Sequence, residues 1–493
     1  MKKLYRFSAI ALLVLPLVFT SCSDYLDRDD DDNITEADVF ARYEKVNGLV
    51  SDVYAAAKKA DRPLVFFEHF SNSAITDECE GTNVEGNITN NFNNGAWNPN
   101  SLPGSVGQYW EALYEGIRKA NLIIENVQKY NTPDNPQQDG DLRNRIGEMY
   151  FMRGYFHMLL LRMYGEAPYI DRVINAGDNM DFKKESVHSM VEKIVTDAQT
   201  AYGMVPNKYV KTSENFGRVD KGACLGLISF VRWVAATPLW NGASQYGYNL
   251  RRVFENEYAY DATRWRKAKE AAKAVLDFEV GGTKRYSLYT KHDANDFKDP
   301  ADGNLNDSRV YARLWDMFYD MDAFANEYVF FMTKSEDQAW QGDIYPPSRE
   351  GSSRQQPVQE QVDEYEYIVG DYGYPVYSAE ARKGGYDDTN PYVKGTRDPR
   401  FYRDVIYHGA PYRNNKNESK TINTASGSDK IGATNATTTG YYLRKFQQES
   451  WNKSGNFSIN APAIWRLPEF IYIYAEACNE LGEDIDEAYK LVN

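Results

Sequence analysis

A succession of apolar stripes at helical spacing, each closed by a helix breaker, constrains this 493-residue chain more than any other feature. Val39, Tyr43, Val46, Val50 and Tyr54 follow a cap-like Thr35-Glu36 and predict helix over 35–60. Trp110, Leu113, Tyr114, Ile117, Ile124 and Val127 form a second stripe. A third runs through Leu142, Ile146, Met149, Arg153, Phe156, Leu160 and Met163 and stops at Gly165, before Pro168. Further helices are read at 186–204, 221–236 and 263–278, ended by Pro206, Pro238 and Gly281-Gly282. Consecutive helices of this kind bury their stripes against one another, so the fold class is mainly α: helical hairpins stacked as an α-solenoid or irregular bundle. The spacing is too uneven for its period alone to name a repeat class.

From about Tyr286 to Ala463 the character changes to Gly, Pro, Asn, Asp and Tyr, with β-like runs at 328–332 and 441–446. Long loops of this sort inside a compact protein are usually functional. Residues 416–439 read as an exposed loop or flexible hairpin. Helical pattern returns over 467–481 and ends at Gly482, and another helix starting near Asp484 or Asp486 is cut at Asn493. The sequence therefore reads as C-terminally truncated. The organisation expected is a signal segment at 1–21, a tether at 22–33, a helical region at 34–285, a loop-rich ligand-binding region at 286–465, and the start of a C-terminal helical region at 466–493.

The N-terminus sets the compartment. Lys2, Lys3 and Arg6 precede an apolar run from Ala9 to Phe19, the length of a secretory h-region and too short to span a bilayer. Thr20-Ser21-Cys22 then resembles the lipobox of bacterial lipoproteins, with Phe19 where Leu is usual; the competing reading is plain secretion. Cleavage before Cys22 takes the formal charge from −15 to −18. Acyl chains on Cys22 anchor such a chain durably, and Asp24, Asp27 and Asp29 to Asp32 make a solvated tether suited to the outer face of the outer membrane.

Composition excludes several functions. The negative charge argues against a nucleic-acid binder. Cys79, Cys224 and Cys478 have no CxxC spacing, and His69, His157, His188, His292 and His408 form no pair at metal-ligand spacing. HExxH, GxSxG and P-loop motifs are missing. No metal site and no cofactor is expected. The 38 Tyr and 9 Trp lean toward binding instead.

The motifs, taken in order, resemble the SusD/RagB family of outer-membrane nutrient-binding lipoproteins along nearly the whole mature chain. Ile75-Thr-Asp-Glu78 resembles that family's "SDE" segment, and Trp110-x-x-Leu-Tyr-x-x-Ile-x-x-Ala-Asn121 its Trp–Tyr–Ile–Asn helix. Gly147-Glu148-x-x-Phe-x-Arg153-x-Tyr-Phe156 followed by Tyr164-Gly-x-x-Pro168 matches closely, with Met149 where a small residue is usual. Gly217-Arg218, Trp265-x-x-Ala268, Arg397-Asp-Pro-Arg400, Thr439-Gly-Tyr-Tyr442 and Arg466-Leu-x-Glu…Tyr-Ala-Glu-Ala477 continue in family order. The resemblance implies tetratricopeptide-like hairpins, no enzymatic activity, and oligosaccharide capture for a SusC-like TonB-dependent transporter. Peptide capture, as in RagB-type members, is the alternative; a glycan-degrading enzyme is a more distant one.

Sugar rings present apolar C–H faces to flat aromatic side chains, and amides satisfy the hydroxyls. Loop aromatics off the helical stripes are therefore the candidates. Trp97 lies among Asn93, Asn94 and Asn98, and Trp340 in a polar loop, both where the resemblance implies stacking residues; Tyr289 and Tyr345 support them. The competing reading of each is a ring that caps the core. Trp110, Trp233 and Trp265, on helical stripes, are assigned to the core. Arg153, on an apolar face, is expected to pair with Glu148 or with a carboxylate on a facing helix, and Arg397-Asp398-Pro399-Arg400 to be a salt-bridged turn.

Overall fold

The computed structural model describes residues 35–40, 42–60, 71–82, 88–98, 100, 104–130, 136–209, 214–242, 254–290, 317–318, 320–332, 342–393, 395–413, 419–447 and 463–492. Eight helices carry the frame: α1 (Tyr43–Ala60), α2 (Gly104–Tyr130), α3 (Pro136–Tyr164), α4 (Val187–Tyr202), α5 (Lys221–Ala236), α6 (Ala262–Leu276), α7 (Leu467–Leu481) and α8 (Ile485–Val492). Each packs on the next in this order, which is the solenoid of hairpins expected from the stripes.

Local chemistry sets the helix ends. Ser186, Asp220 and Asp261 cap α4, α5 and α6 by accepting from the backbone N–H of Ser189, Ala223 and Thr263 at 3.2, 3.1 and 2.9 Å. Gly165 and Gly482, at φ 71° and 65°, turn the chain out of α3 and α7. α3 is the axis of the core. From Phe151 to Leu161 every residue is buried, the pattern of a helix enclosed on all sides.

Two buried ion clusters hang on α3. Arg153 forks onto Asp197 of α4, with Nε to Oδ2 at 2.8 Å, and also donates to Asn121 Oδ1 and the Asp171 carbonyl, both at 2.9 Å. Tyr169 donates to the same Asp197 at 2.6 Å. The partner of Arg153 is thus the facing-helix carboxylate. Glu148 belongs to a second cluster, held by Arg145, by Arg218 at 2.8 Å and by Tyr209 at 2.7 Å.

The chain leaves this frame after α6 and rejoins it at α7. The intervening insertion carries a smaller core around Tyr345, Val362, Phe401, Tyr402, Ile406 and Tyr442. Its strands are short and pair antiparallel: β2 (Tyr328–Phe331) with β6 (Ala463–Arg466), β4 (Val405–Ile406) with β5 (Tyr442–Leu443), and β3 (Gln355–Pro357) with β1 (Cys79–Gly81), which comes from the segment between α1 and α2. The β2–β6 pair closes the base of the insertion. Phe330 and Trp465 from it are buried in the helical core, with Phe330 edge-on to Phe151 and Tyr155 at 5.0 and 5.4 Å.

Two expectations are refined here. Asp398 does pair with Arg400 and caps the helix Pro399–Asp404, but Arg397 makes no ion pair among the described residues. Its buried guanidinium donates to the carbonyls of Val362 (2.6 Å) and Tyr365 (2.9 and 2.7 Å). The segment read as an exposed loop or flexible hairpin is mostly exposed over its described residues, with Ser419–Thr421 pairing antiparallel with Pro411–Arg413. It is pinned to the smaller core where Tyr442 donates to the Asp429 carbonyl at 2.8 Å and where Thr424, Ala436 and Thr437 are buried.

Asp197→Ala strands the Arg153 guanidinium in the core. Chemical denaturation is expected to show a loss of about 3–5 kcal/mol; a loss below about 1 kcal/mol contradicts the assignment. His157, buried under the Tyr169 ring at 3.7 Å, accepts from the Ile170 N–H at 3.0 Å through Nε2. Burial pushes its pKa down from 6.5 to about 3. Below pH 6.5 the unfolded chain therefore takes up a proton that the folded chain refuses, so this site weakens the fold as pH falls toward 3. Melting temperatures between pH 7.5 and 5 are expected to drop less in His157→Gln than in the wild type, measured by differential scanning calorimetry.

Candidate functional site

The three strand pairs frame a cleft of about 710 Å³ between the insertion and its base. One wall is β1–β3, contributing Cys79, Gln355 and Pro357; the floor is β4–β5, through Val405 and Leu443; the far wall is β6, through Ala463 and Arg466. Two buried glutamines tie the walls together. Gln355 accepts from the Ser71 N–H at 2.8 Å, and Gln356 from the Leu443 N–H at 3.2 Å.

Inside, Phe318 and Phe446 meet edge to face at 4.4 Å. The guanidinium groups of Arg403 and Arg466 lie 5.3 and 5.7 Å from the Phe318 ring centre, and Lys445 Nζ 5.3 Å from that of Phe446. Asp404 takes Arg403 in a fork and accepts from Tyr365 at 2.9 Å; Glu327 takes Arg466 at 2.9 Å. Burial holds the Lys445 pKa below its ordinary value; Asp404 opposes the shift, and Arg403 and Arg466 add to it. The Cys79 thiol is pushed up to about 12 by burial, which leaves it un-nucleophilic.

An aromatic platform adjoins the cleft through the segment 71–79: Ser73 lines the cleft while Ala74, next to it, packs beneath Trp97. The helix Ile88–Asn93 ends in an Asn94-Gly95 turn, with Gly95 at φ 75° and its N–H bonded to the Phe92 carbonyl at 3.0 Å. This left-handed step, which glycine adopts without a Cβ clash, folds Trp97 back edge-on to Phe92 at 4.9 Å. Trp97 is half-buried and Phe92 is 40% exposed. Such a pair offers a flat apolar face beside polar amides, the chemistry that suits a sugar ring.

The sequence-predicted residues divide. Trp97 stands on this rim. Asn93 holds it in place, donating to the Ala74 carbonyl at 3.1 Å. Asn98 shapes the following turn by accepting from the Asn100 N–H at 2.9 Å. Tyr289 and Tyr345 do not offer ring faces: they are 5% and 3% exposed. Tyr289 donates to Asp320 at 2.8 Å, and Tyr345 packs on Tyr412. Trp340 and Cys22 lie outside the described residues. Sequence reasoning missed Phe92, although the Asn-Gly turn between it and Trp97 was a readable signal. It also missed Phe318, Phe446 and Lys445, which come together only through the strand pairing.

Two family models match this chain. Residues 24–231 fit one described as starch-binding and associating with the outer membrane, and residues 322–493 fit the SusD family model. The chain belongs to the SusD/RagB family. A SusD-like protein of Formosa agariphila is 24% identical over 202 residues, a match that covers 40% of this chain and only 38% of that relative. Solved SusD-like structures share the fold. One from Bacteroides fragilis superposes with a TM-score of 0.67 at 19% identity, covering 95% of this chain and 80% of that one. A SusD-like carbohydrate-binding protein of the same species gives 0.65 at 15% identity over 90% and 75%. A laminarin-binding SusD-like protein gives 0.52 at 16% over 91% and 83%.

The local Asn94-Gly95 turn is the step that aims Trp97. Gly95→Val, with a β-branched residue at positive φ, is expected to raise the solvent exposure of Trp97. Iodide quenching of tryptophan fluorescence reads this; quenching equal to wild type contradicts the role of the turn.

Proposed function

We propose that this SusD/RagB protein captures oligosaccharides and polysaccharides at the Trp97 rim and the adjoining cleft, and passes them to a SusC-like TonB-dependent transporter of the outer membrane. The observation that carries the reading is the Phe92–Trp97 pair beside a strand-framed cleft of about 710 Å³ that carries both aromatic and charged side chains. A platform of this kind stacks on a sugar ring while side-chain amides and charges meet its hydroxyls. The carbohydrate-binding and laminarin-binding neighbours support the same ligand class. The proposed role is binding without bond cleavage.

Anchoring belongs to the same proposal. No helix among the described residues is long and apolar enough to cross a membrane. Acylation of Cys22 would hold the protein to the outer membrane, with the acidic stretch from Asp24 to Asp32 as a surface-exposed tether. Trp340 remains a second proposed stacking residue.

The test is an array of neutral and acidic glycans together with peptides, probed with the chain from Ser23 onward. Wild type is compared with Trp97→Ala and Phe92→Ala. Glycan binding weakened about 3- to 10-fold by Trp97→Ala, as loss of one aromatic stack entails, with an unchanged far-ultraviolet circular dichroism spectrum, supports the reading. Peptide binding alone, or glycan binding indifferent to both substitutions, contradicts it.

A further inference from the structure

The ligand class can be narrowed by counting charges inside the cleft. Four cations line it: Arg400, Arg403, Lys445 and Arg466. Three have a carboxylate. Arg400 forks onto Asp398 at 3.0 Å, Arg403 onto Asp404, and Arg466 reaches Glu327 at 2.9 Å. Lys445 differs. Among the described residues its ammonium has no hydrogen bond and no ion pair, and its only side-chain contact of this kind is the ring of Phe446.

The acids lining the cleft, Glu78 and Asp404, form no ion pair with it. Asp404 is taken by Arg403 and Tyr365, and Glu78 is an exposed residue with no ion pair to Lys445. A half-buried ammonium beside Arg403 and Arg466, on an aromatic wall, is poorly solvated and, among the described residues, has no ion-pair partner. The hydroxyls of a neutral sugar can accept its hydrogen bonds and leave the charge uncompensated. An anionic substituent does both. The net charge of −15 does not decide this, because the local field of a cleft governs what enters it.

We infer that the cleft takes a carboxylate or sulfate carried by an acidic oligosaccharide, with Lys445 as its counter-charge. This inference rests on the glycan-capture reading above and specifies the substrate class of that site.

Isothermal titration calorimetry with two matched pairs of probes tests it: an oligogalacturonate against its full methyl ester, and a sulfated galactan oligosaccharide against its desulfated form. The charged member of at least one pair is expected to bind about tenfold or more tightly than its neutral partner, with a margin that shrinks as salt is raised. The responding pair identifies the anion. Lys445→Met removes the margin and Lys445→Arg keeps it; Lys445→Gln replaces the Met variant if the latter does not give a cooperative melt. Equal affinity within both pairs, or a margin that survives loss of the ammonium, overturns the inference while neutral-glycan binding leaves the capture reading standing. Failure of every glycan on the array to bind overturns the capture reading, and this inference with it.

Discussion

The contact between β2 and β6 holds two different kinds of structure in one molecule. On one side is a solenoid in which each helix needs only its neighbour. On the other is a long insertion with a small core of its own. A loop costs little more entropy as it lengthens, so a large insertion is compatible with a stable frame if its two ends are held together. Phe330 and Trp465 do this by burying in the helical core next to Phe151 and Tyr155. Glu327 adds a polar clasp. Its side chain accepts from Tyr289 N–H at 2.7 Å and from Arg466 at 2.9 Å, and its carbonyl accepts from Leu467 N–H at 2.9 Å. Exit and re-entry of the insertion thus meet at one buried carboxylate.

The cleft follows from that joint. Because β6 runs straight into α7, Arg466 is fixed relative to the frame, while Arg403 and Lys445 are fixed relative to the smaller core. The site forms where the two bodies face each other across Phe318 and Phe446. The β1–β3 pair brings in a third partner, the segment 71–82, and with it the Trp97 platform. The division of labour is physical: the frame supplies rigidity, and the insertion supplies side chains freed from helical packing.

The helical half was legible because every stripe had one way to be buried. The helices at 186–204 and 263–278 read from the sequence correspond to α4 and α6 with ends shifted by a few residues, and Lys221–Ala236 is identical. Arg153 was legible as a buried charge in need of a partner, but Asp197 lies 44 residues away and only helix packing selects it. The insertion was less legible because bonds between distant segments order it. Arg397 is caged by carbonyls from 362–365, and Tyr442 reaches Asp429, neither of which leaves a periodic trace. Tyr289 and Tyr345 show the same limit from the other side. A loop rich in Gly and Asp says nothing about which way its tyrosines face, and these two face inward. Trp97 was picked out by its place in an Asn-rich loop off the helical stripes, and the structure leaves its ring half-buried on the rim after the Asn94-Gly95 turn.

The central proposal is that the Trp97 rim and the cleft at the base of the insertion form one ligand-binding surface. Hydrogen–deuterium exchange, with and without the tightest-binding array glycan, tests it most directly. The account predicts slowed exchange in 71–79, 88–98 and 442–446 together, with α4 and α5 unchanged. Protection confined to other surfaces, or no protection in any of those three segments at saturating glycan, would contradict it.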